Sequence, residues 1–227
     1  MSKSLPLFCL IVATAVSCAK EESVPKFVAA PAEDPVSEVV PAPAETPPAP
    51  VAMTIWESGD PLERGWKMAG PGSFVAEGDT MYATGGMGLL WYAEQDYVDF
   101  KLELEWQVTS ADNNSGVFVR FPDPGNDPWI AVNEGYELQI CDSAGDKHNT
   151  GSVYSFQGPT SIPTKEVGEW NHYAITVVGQ AYTLEVNGEL VNTYVGERSE
   201  RGYIGLQNHD DASPVRYRNI RVTELAQ

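Results

Sequence analysis

A short segment, "GYELQICD" at residues 135–142, places two polar side chains, Glu137 and Gln139, among large apolar residues. Two further segments, "SGVFVRF" and "YIGLQNH", alternate in the same way and add Arg120, Gln207 and His209. Together these residues supply a carboxylate, two amides, a guanidinium and an imidazole, groups that recognise hydroxyl-rich ligands and exchange protons with them. The pattern predicts either a ligand groove or an ordinary solvated sheet surface.

Strands must position these side chains, because apolar residues recur with period two from residue 53 onward. "FKLELEWQV" (residues 100–108) shows one apolar and one charged face. Asn187-Gly188 lies between two alternating runs, which predicts a hairpin over residues 181–195 with a type I′ turn. No segment after the N-terminal apolar run has helical periodicity. We therefore expect an all-β sandwich of two sheets, of the jelly-roll type.

Strand parity assigns faces within the two further segments. The expected core residues are Val117, Val119, Phe121, Ile204 and Leu206, and the expected opposite face carries Phe118, Arg120, Gly205, Gln207 and His209.

The N-terminus predicts export. Residues 1–17 contain one basic residue and an apolar run too short to span a bilayer, which is typical of a secretory signal peptide. The following "AVSC" resembles the lipobox of bacterial lipoproteins, which implies lipid on Cys18 and anchoring to the bacterial cell envelope. Residues 18–52 are rich in Pro, Ala and Glu and predict an extended tether, so residues 53–227 form the folded domain.

The composition excludes a nucleic-acid partner, because the formal net charge of −18 provides no basic footprint for phosphates. Removal of the signal peptide and lipidation of Cys18 leave Cys141 alone, so no disulfide can form within the domain. A lone cysteine in an apolar strand is typical of a small core residue. We expect a monomer whose contact with the membrane is made through the lipid alone.

Several separated motifs resemble the 3-keto-disaccharide hydrolase domain family. They are "NSGVFVR", "GYELQICD", "TGSVY", "GEWNHYAI", "VNGELV" and "GYIGLQNHDDASPVRYRNIRVTEL", and the likeness covers residues 54–225. The resemblance implies a concanavalin A-like (laminin G-like) jelly roll that is often exported and acts on glycosides oxidised to a ketone at C3. Such a substrate implies a separate sugar-oxidising dehydrogenase upstream. Cys141 and the long "NHDDASPV" segment depart from the family pattern.

The implied chemistry assigns roles to the polar set. A C3 ketone acidifies the C2 proton, so a base can remove it, the C1 substituent leaves by β-elimination, and water then adds to give net hydrolysis. Glu137 or His209 is the expected base, and Arg120 the positive charge that faces the enolate. The expected ligands of the sugar hydroxyls are Gln139, Gln207 and Asn208. Trp129, on an expected long loop, either stacks on the sugar or pins that loop.

Two alternatives stay open. Asp142, Asp146 and His148 lie close together in "CDSAGDKHNTG", where they form either a divalent-metal site that polarises the ketone or a polar turn without metal. The chain is either the enzyme described above or a non-catalytic, lectin-like sugar-binding module at the cell surface, because the fold alone does not separate the two. A base paired with a cation favours the enzyme.

Overall fold

Alternating apolar residues build thirteen strands in residues 49–226, the part of the chain that the computed structural model describes. The predicted signal peptide, Cys18 and the tether up to residue 48 lie outside the described residues. The strands are β1 (Ala52–Trp56), β2 (Trp66–Ala69), β3 (Ser73–Glu77), β4 (Thr80–Thr84), β5 (Gly88–Tyr92), β6 (Phe100–Gln107), β7 (Ser115–Phe121), β8 (Tyr136–Ile140), β9 (Asn171–Val178), β10 (Ala181–Val186), β11 (Glu189–Val195), β12 (Tyr203–Asn208) and β13 (Arg216–Glu224).

The strands form two antiparallel sheets. Eight of them form the first sheet: seven follow the order β11-β10-β9-β6-β13-β4-β3, and β1 pairs with β13. The other five follow the order β2-β5-β12-β7-β8. This second sheet places β12, β7 and β8 side by side, and these are the strands that carry most of the predicted polar set.

Local sequence accounts for these elements where alternation is strong. In β6 every second residue is buried, as one core face and one outer face require. The predicted hairpin is confirmed, since β10 and β11 pair antiparallel around Asn187 (φ 52°) and Gly188 (φ 81°). These positive φ angles are the ones that a type I′ turn needs.

Apolar side chains form two clusters. The larger cluster fills the space between the sheets and takes residues from both, including Leu104, Trp106, Val119 and Leu138. The smaller cluster lies on the outer face of the five-stranded sheet and contains Ala69, Leu89, Trp91, Phe118, Phe121 and Ala131. The outer face of this sheet is therefore not simply solvated, as an ordinary sandwich surface would be.

A short helix, α1 (Trp129–Glu134), covers part of this outer face and packs against β7 and β8. The expectation of a loop at Trp129 was wrong. Six residues with one buried side chain, Ala131, are too few to show helical periodicity in a sequence. No helix among residues 49–226 has the length and apolar character that crossing a membrane requires.

Candidate active site

A groove opens on the outer face of the five-stranded sheet, where the smaller apolar cluster ends. It encloses about 280 Å³, close to the lower end of the range for small-molecule sites. β7, β8 and β12 form its floor, and the α1 segment forms one wall. Its lining residues are Met87, Gly88, Asn114, Phe118, Pro128, Trp129, Val132, Glu137, Gln139, Tyr154, Gln207 and His209.

Strand register sets the order of the polar groups on the floor. Gly116 of β7 lies opposite Gln139 of β8, and Phe118 lies opposite Glu137. On the other side of β7, Leu206 pairs with Val117, and the continuing register puts Gln207 beside Gly116. Neighbouring strands lie about 4.8 Å apart, so the two glutamines flank Gly116 in one row. The alternation along the strands therefore predicted correctly that these polar residues share one face of the sheet. Their roles stay predictions.

Glu137 is the buried acid of this groove, with 7% of its surface exposed. Burial raises the pKa of its carboxyl group to about 8, and hydrogen bonding from the Gln207 side chain offsets part of that rise. Loss of hydration disfavours the charged form, so the carboxyl group is mostly protonated at neutral pH. Glu137 is therefore a proton donor in the free protein and becomes a base only above about pH 8.

Two amide oxygens around Glu137 lack donors. Gln139 donates from Nε2 to Asn114 Oδ1 over 3.0 Å. Gln139 Oε1 and Gln207 Oε1 are buried, and neither accepts a hydrogen bond within the described part of the chain. A buried unpaired acceptor is unfavourable by roughly 1–3 kcal/mol. A ligand that brings hydroxyl donors into the groove would remove that penalty.

His209 lies at the rim, directly after β12, and is paired with an acid. Its Nδ1 lies 2.6 Å from Asp210 Oδ2. Burial alone would raise the pKa of Asp210, but hydrogen bonds from His209 and from the Ala212 N–H lower it. The ionised carboxylate can only accept, so Nδ1 carries a proton in this pair. In the neutral imidazole with this tautomer, Nε2 is the atom that can accept a proton.

The structure contradicts the predicted position of Arg120. Its side chain is fully buried and does not line the groove. The guanidinium donates to the carbonyl oxygens of Val98 and Gly179, the latter over 3.1 Å, and lies 3.7 Å from Asp99. These contacts connect the loop that contains Val98 and Asp99 to the turn at Gly179.

A β-bulge explains this error. The pairing of β12 with β7 shifts between Val119 and Phe121, and Arg120 between them has a φ of 63°. One extra residue reverses the parity that follows it. Arg120 therefore leaves the groove side, and Phe121, expected in the core, joins the outer cluster beside Tyr203.

Asn208 also departs from its predicted role. It is fully buried, and its Nδ2 donates to Thr84 O over 2.6 Å and to Ser73 O over 3.3 Å. Those carbonyls belong to β4 and β3, so Asn208 connects the two sheets. Its parity is that of the core residue Leu206, opposite to that of Gln207 and His209, which is why it cannot contact a ligand in the groove.

Two aromatic side chains stand at the groove edge. Trp129, the first residue of α1, is 54% exposed, and Tyr154 is 36% exposed. Arg198 fixes the other end of the helix, because its guanidinium donates to the carbonyl oxygens of Val132 and Gly135. Exposed aromatic faces beside a polar floor suit the apolar face of a sugar ring.

The three predicted metal ligands do not converge. Asp142 accepts a hydrogen bond from Thr150 Oγ1 at 2.5 Å, and the His148 ring is hydrogen-bonded to Ser155 Oγ at 3.2 Å and contacts the tilted ring of Tyr154. Asp146 begins a short 3₁₀ turn, Asp146–His148. No group of three or more His, Cys, Asp or Glu side chains within residues 49–226 could hold a metal ion. The side chains of Asp142 and His148 therefore have separate partners within one polar turn.

Seven of the lining residues were not predicted from the sequence, among them Asn114, Tyr154 and Phe118. Asn114 has the parity of Gly116, which would have placed it on the groove face. Tyr154 ends the motif "TGSVY", where an exposed aromatic after small residues was the available signal. Phe118 was assigned to the correct face but not to the site.

Comparison with known proteins connects this geometry to a family. The model of the 3-keto-alpha-glucoside-1,2-lyase-like domain matches residues 55–223. No curated protein matches the chain significantly.

Solved structures show the fold. A provisionally named glycosyl hydrolase from Parabacteroides distasonis is 18% identical with a TM-score of 0.65, covering 77% of this chain and 94% of its own. A second from the same organism is 23% identical with a TM-score of 0.63, covering 77% and 100%. A Bacillus subtilis protein with a galectin-like fold is 11% identical with a TM-score of 0.58, covering 77% and 94%. The predicted concanavalin A-like sandwich is confirmed.

Proposed function

Because the chain belongs to the family of 3-keto-alpha-glucoside-1,2-lyase-like domains, we propose that it cleaves glycosides whose C3 hydroxyl has been oxidised to a ketone. The reaction removes the C2 proton, expels the C1 substituent by β-elimination, and adds water to the resulting unsaturated ketone. Net hydrolysis follows from the two steps together.

One observation carries this proposal: a buried carboxyl group, Glu137, lies in a groove beside unpartnered amide oxygens. A module that only binds sugar gains nothing from burying an acid that costs several kcal/mol to ionise. A site that stabilises an enolate does gain, because a neutral carboxyl group can donate a hydrogen bond to the oxygen on which negative charge develops.

The proposed roles assign proton removal to the rim histidine and hydrogen-bond donation to the buried acid. His209 Nε2 accepts the C2 proton, and the negative charge moves to the C3 oxygen, where the Glu137 carboxyl group donates a hydrogen bond. As the C1–O bond breaks, the imidazolium returns its proton to the departing oxygen. Water then adds across the C1–C2 double bond, so atoms and charge balance without a net proton.

The two groups line the same groove. The Glu137 carboxyl group lies over Gly116, next to Gln207, and His209 directly follows the strand that carries Gln207. Acid and base can therefore act on one bound sugar. Arg120, which had been expected to face the enolate, has no part in this scheme.

An ordinary glycosidase mechanism fits less well. It requires two carboxyl groups, about 5–9.5 Å apart, on either side of the scissile bond. Glu137 is the single carboxylic acid among the groove-lining residues described above. Asp210 lies next to the rim, but its carboxylate is hydrogen-bonded to His209.

A lectin-like module is the second candidate, because Trp129, Tyr154 and the two free amide oxygens would bind a sugar without chemistry. The decisive experiment incubates the protein with a 3-keto-disaccharide and with its unoxidised parent in D₂O, and follows C2 deuteration and cleavage by NMR. We expect cleavage of the oxidised sugar alone. Binding of both sugars without deuteration would establish the lectin instead.

Variants test the assigned groups. His209→Asn removes the proton acceptor and should lower turnover by about 10²–10⁴-fold. Glu137→Gln replaces the acidic hydrogen-bond donor with a weaker amide donor and should also lower turnover. Glu134→Gln, which changes an exposed acid of α1, is the matched control. Parallel reactions with a chelator test for metal dependence. Full activity in both groove variants would refute the site.

We further propose that the protein acts as a lipid-anchored monomer in the bacterial cell envelope, where an upstream dehydrogenase supplies the ketone. The "AVSC" motif and the Pro-rich tether support this location. A sugar oxidised at C3 is the product of an alcohol dehydrogenation, which supports that partner.

A further inference from the structure

Gly116 lies in β7 on the groove floor, beneath the Glu137 side chain. A Cβ atom at residue 116 would lie 2.5 Å from Glu137 Oε1, 2.7 Å from its Cγ and 3.0 Å from its Cδ. Real Cβ atoms essentially never make contacts under 3.0 Å. Any side chain at residue 116 would therefore force Glu137 to move.

The need for glycine here is spatial rather than conformational. Gly116 does not have a positive φ, unlike the glycines in the turns, so alanine can adopt its backbone geometry without strain. The three close atoms all belong to one flexible side chain. A substitution would therefore displace Glu137 and leave the strand in place.

We propose that Gly116 is a positioning residue, whose missing side chain sets the place of the Glu137 carboxyl group in the groove and thereby its hydrogen bond to the C3 oxygen of the enolate. This inference rests on the proposed function for its effect on turnover. Its effect on the position of Glu137 stands independently.

The surroundings of Gly116 show why the position matters. Its neighbours in the same row, Gln139 and Gln207, both carry side chains, so Gly116 is the low point of the floor. The titratable groups that line the groove with Glu137 are His209 and Tyr154, and Tyr217 lies in the core below. Burial raises the pKa of Tyr217, its hydrogen bond with Ser115 Oγ at 2.6 Å offsets part of that rise, and the charge of Glu137 adds a smaller increase.

Filling that low point would lift the carboxyl group toward the groove opening. There it would gain hydration, so its pKa should fall toward the ordinary value. It would also enter the space assigned to the sugar ring. A misplacement of about 1 Å can lower a rate by about 10²-fold, so we expect a loss of kcat with a smaller change in KM.

The test compares Gly116→Ala with Gly205→Ala in the full protein. Gly205 is the matched control, because it lies in β12 on the same sheet face and a Cβ there would meet Leu89 and Phe121 rather than Glu137. ¹³C NMR of the glutamate carboxyl carbons, assigned with Glu137→Gln, gives the titration midpoint of Glu137. We expect the midpoint to fall in Gly116→Ala and to stay unchanged in Gly205→Ala.

Kinetics add a second, independent readout. In Glu137→Ala none of the three atoms close to residue 116 is present, so Gly116→Ala should lower kcat by at least about 10-fold in the wild type and by much less in the Glu137→Ala background. Equal factors in both backgrounds would mean independent sites and would overturn the proposal.

The two proposals fail in different ways. An unchanged Glu137 midpoint in folded Gly116→Ala overturns the positioning role, whatever the substrate. A lowered midpoint in a protein that does not cleave 3-keto-disaccharides supports the positioning of Glu137 by Gly116 and refutes the proposed function.

Discussion

Replacing Glu137 by glutamine should change how stability depends on pH. In the folded protein burial raises the pKa of this carboxyl group from 4.5 to about 8. A raised pKa means that the group contributes its full stability below pH 4.5 and loses it as the pH rises to about 8. Glu137→Gln keeps the shape but cannot ionise, so it should not suffer this loss.

The magnitude follows from the interval between the two pKa values. From 4.5 to about 8, at 1.36 kcal/mol per pH unit, the loss is at most about 5 kcal/mol. Measurements should stay above the isoelectric point near 4.4, so the usable window runs from about pH 5.5 to 9. In that window the loss is at most about 3 kcal/mol, equivalent to about 6–12 °C in Tm.

Scanning calorimetry of the wild type, Glu137→Gln and Glu134→Gln across this window measures the effect. The Tm advantage of Glu137→Gln over the wild type should grow between pH 5.5 and 8 and then level off. Glu134→Gln, which changes an exposed acid, should run parallel to the wild type. If Glu137→Gln also runs parallel, Glu137 is ionised in the folded protein and the reasoning about its protonation fails.

Three further predictions concern other parts of the molecule. The pH profile of kcat/KM should be bell-shaped and should fall above about pH 8, where Glu137 loses its proton; a rise through pH 8 to a plateau would instead make Glu137 the base. Arg120→Met leaves the Val98 and Gly179 carbonyl oxygens without a donor and should cost about 3 kcal/mol or more, a fall in Tm of at least about 6 °C. Its turnover per folded molecule should equal that of the wild type, and a loss of kcat at unchanged Tm would return Arg120 to the catalytic chemistry. Cys18→Ser should move the protein from the membrane fraction to a soluble exported pool, as fractionation and immunoblotting can show; unchanged fractionation would refute lipidation.

The sequence predicted the parts of this fold that repeat locally. Period-two alternation and the Asn187-Gly188 turn are short-range signals, since each depends on neighbouring residues alone. The floor of the groove was predictable for the same reason. Glu137, Gln139 and Gln207 lie in regular strand segments, where parity assigns the face correctly.

Errors occurred where regularity ends. The bulge at Arg120 depends on pairing with β12 and on buried carbonyl oxygens more than twenty residues away in the chain. Such contacts leave no periodic signal. Asn208 was predicted to bind ligand because it is an amide, although its position in the strand alternation places it on the core face. The helix α1 is stabilised by packing against β7 and β8 rather than by a helical periodicity of its own.

The smaller apolar cluster has a consequence for local unfolding. β7 and β12 have apolar layers on both faces, one from each cluster, so exposing their amides to solvent requires the loss of both layers. Binding sites commonly belong to the least stable regions of a protein. Here hydrogen exchange should be slowest in β7 and β12 beneath the ligand and fast in α1 beside it, so the wall of the groove can fluctuate while these two floor strands stay closed to exchange.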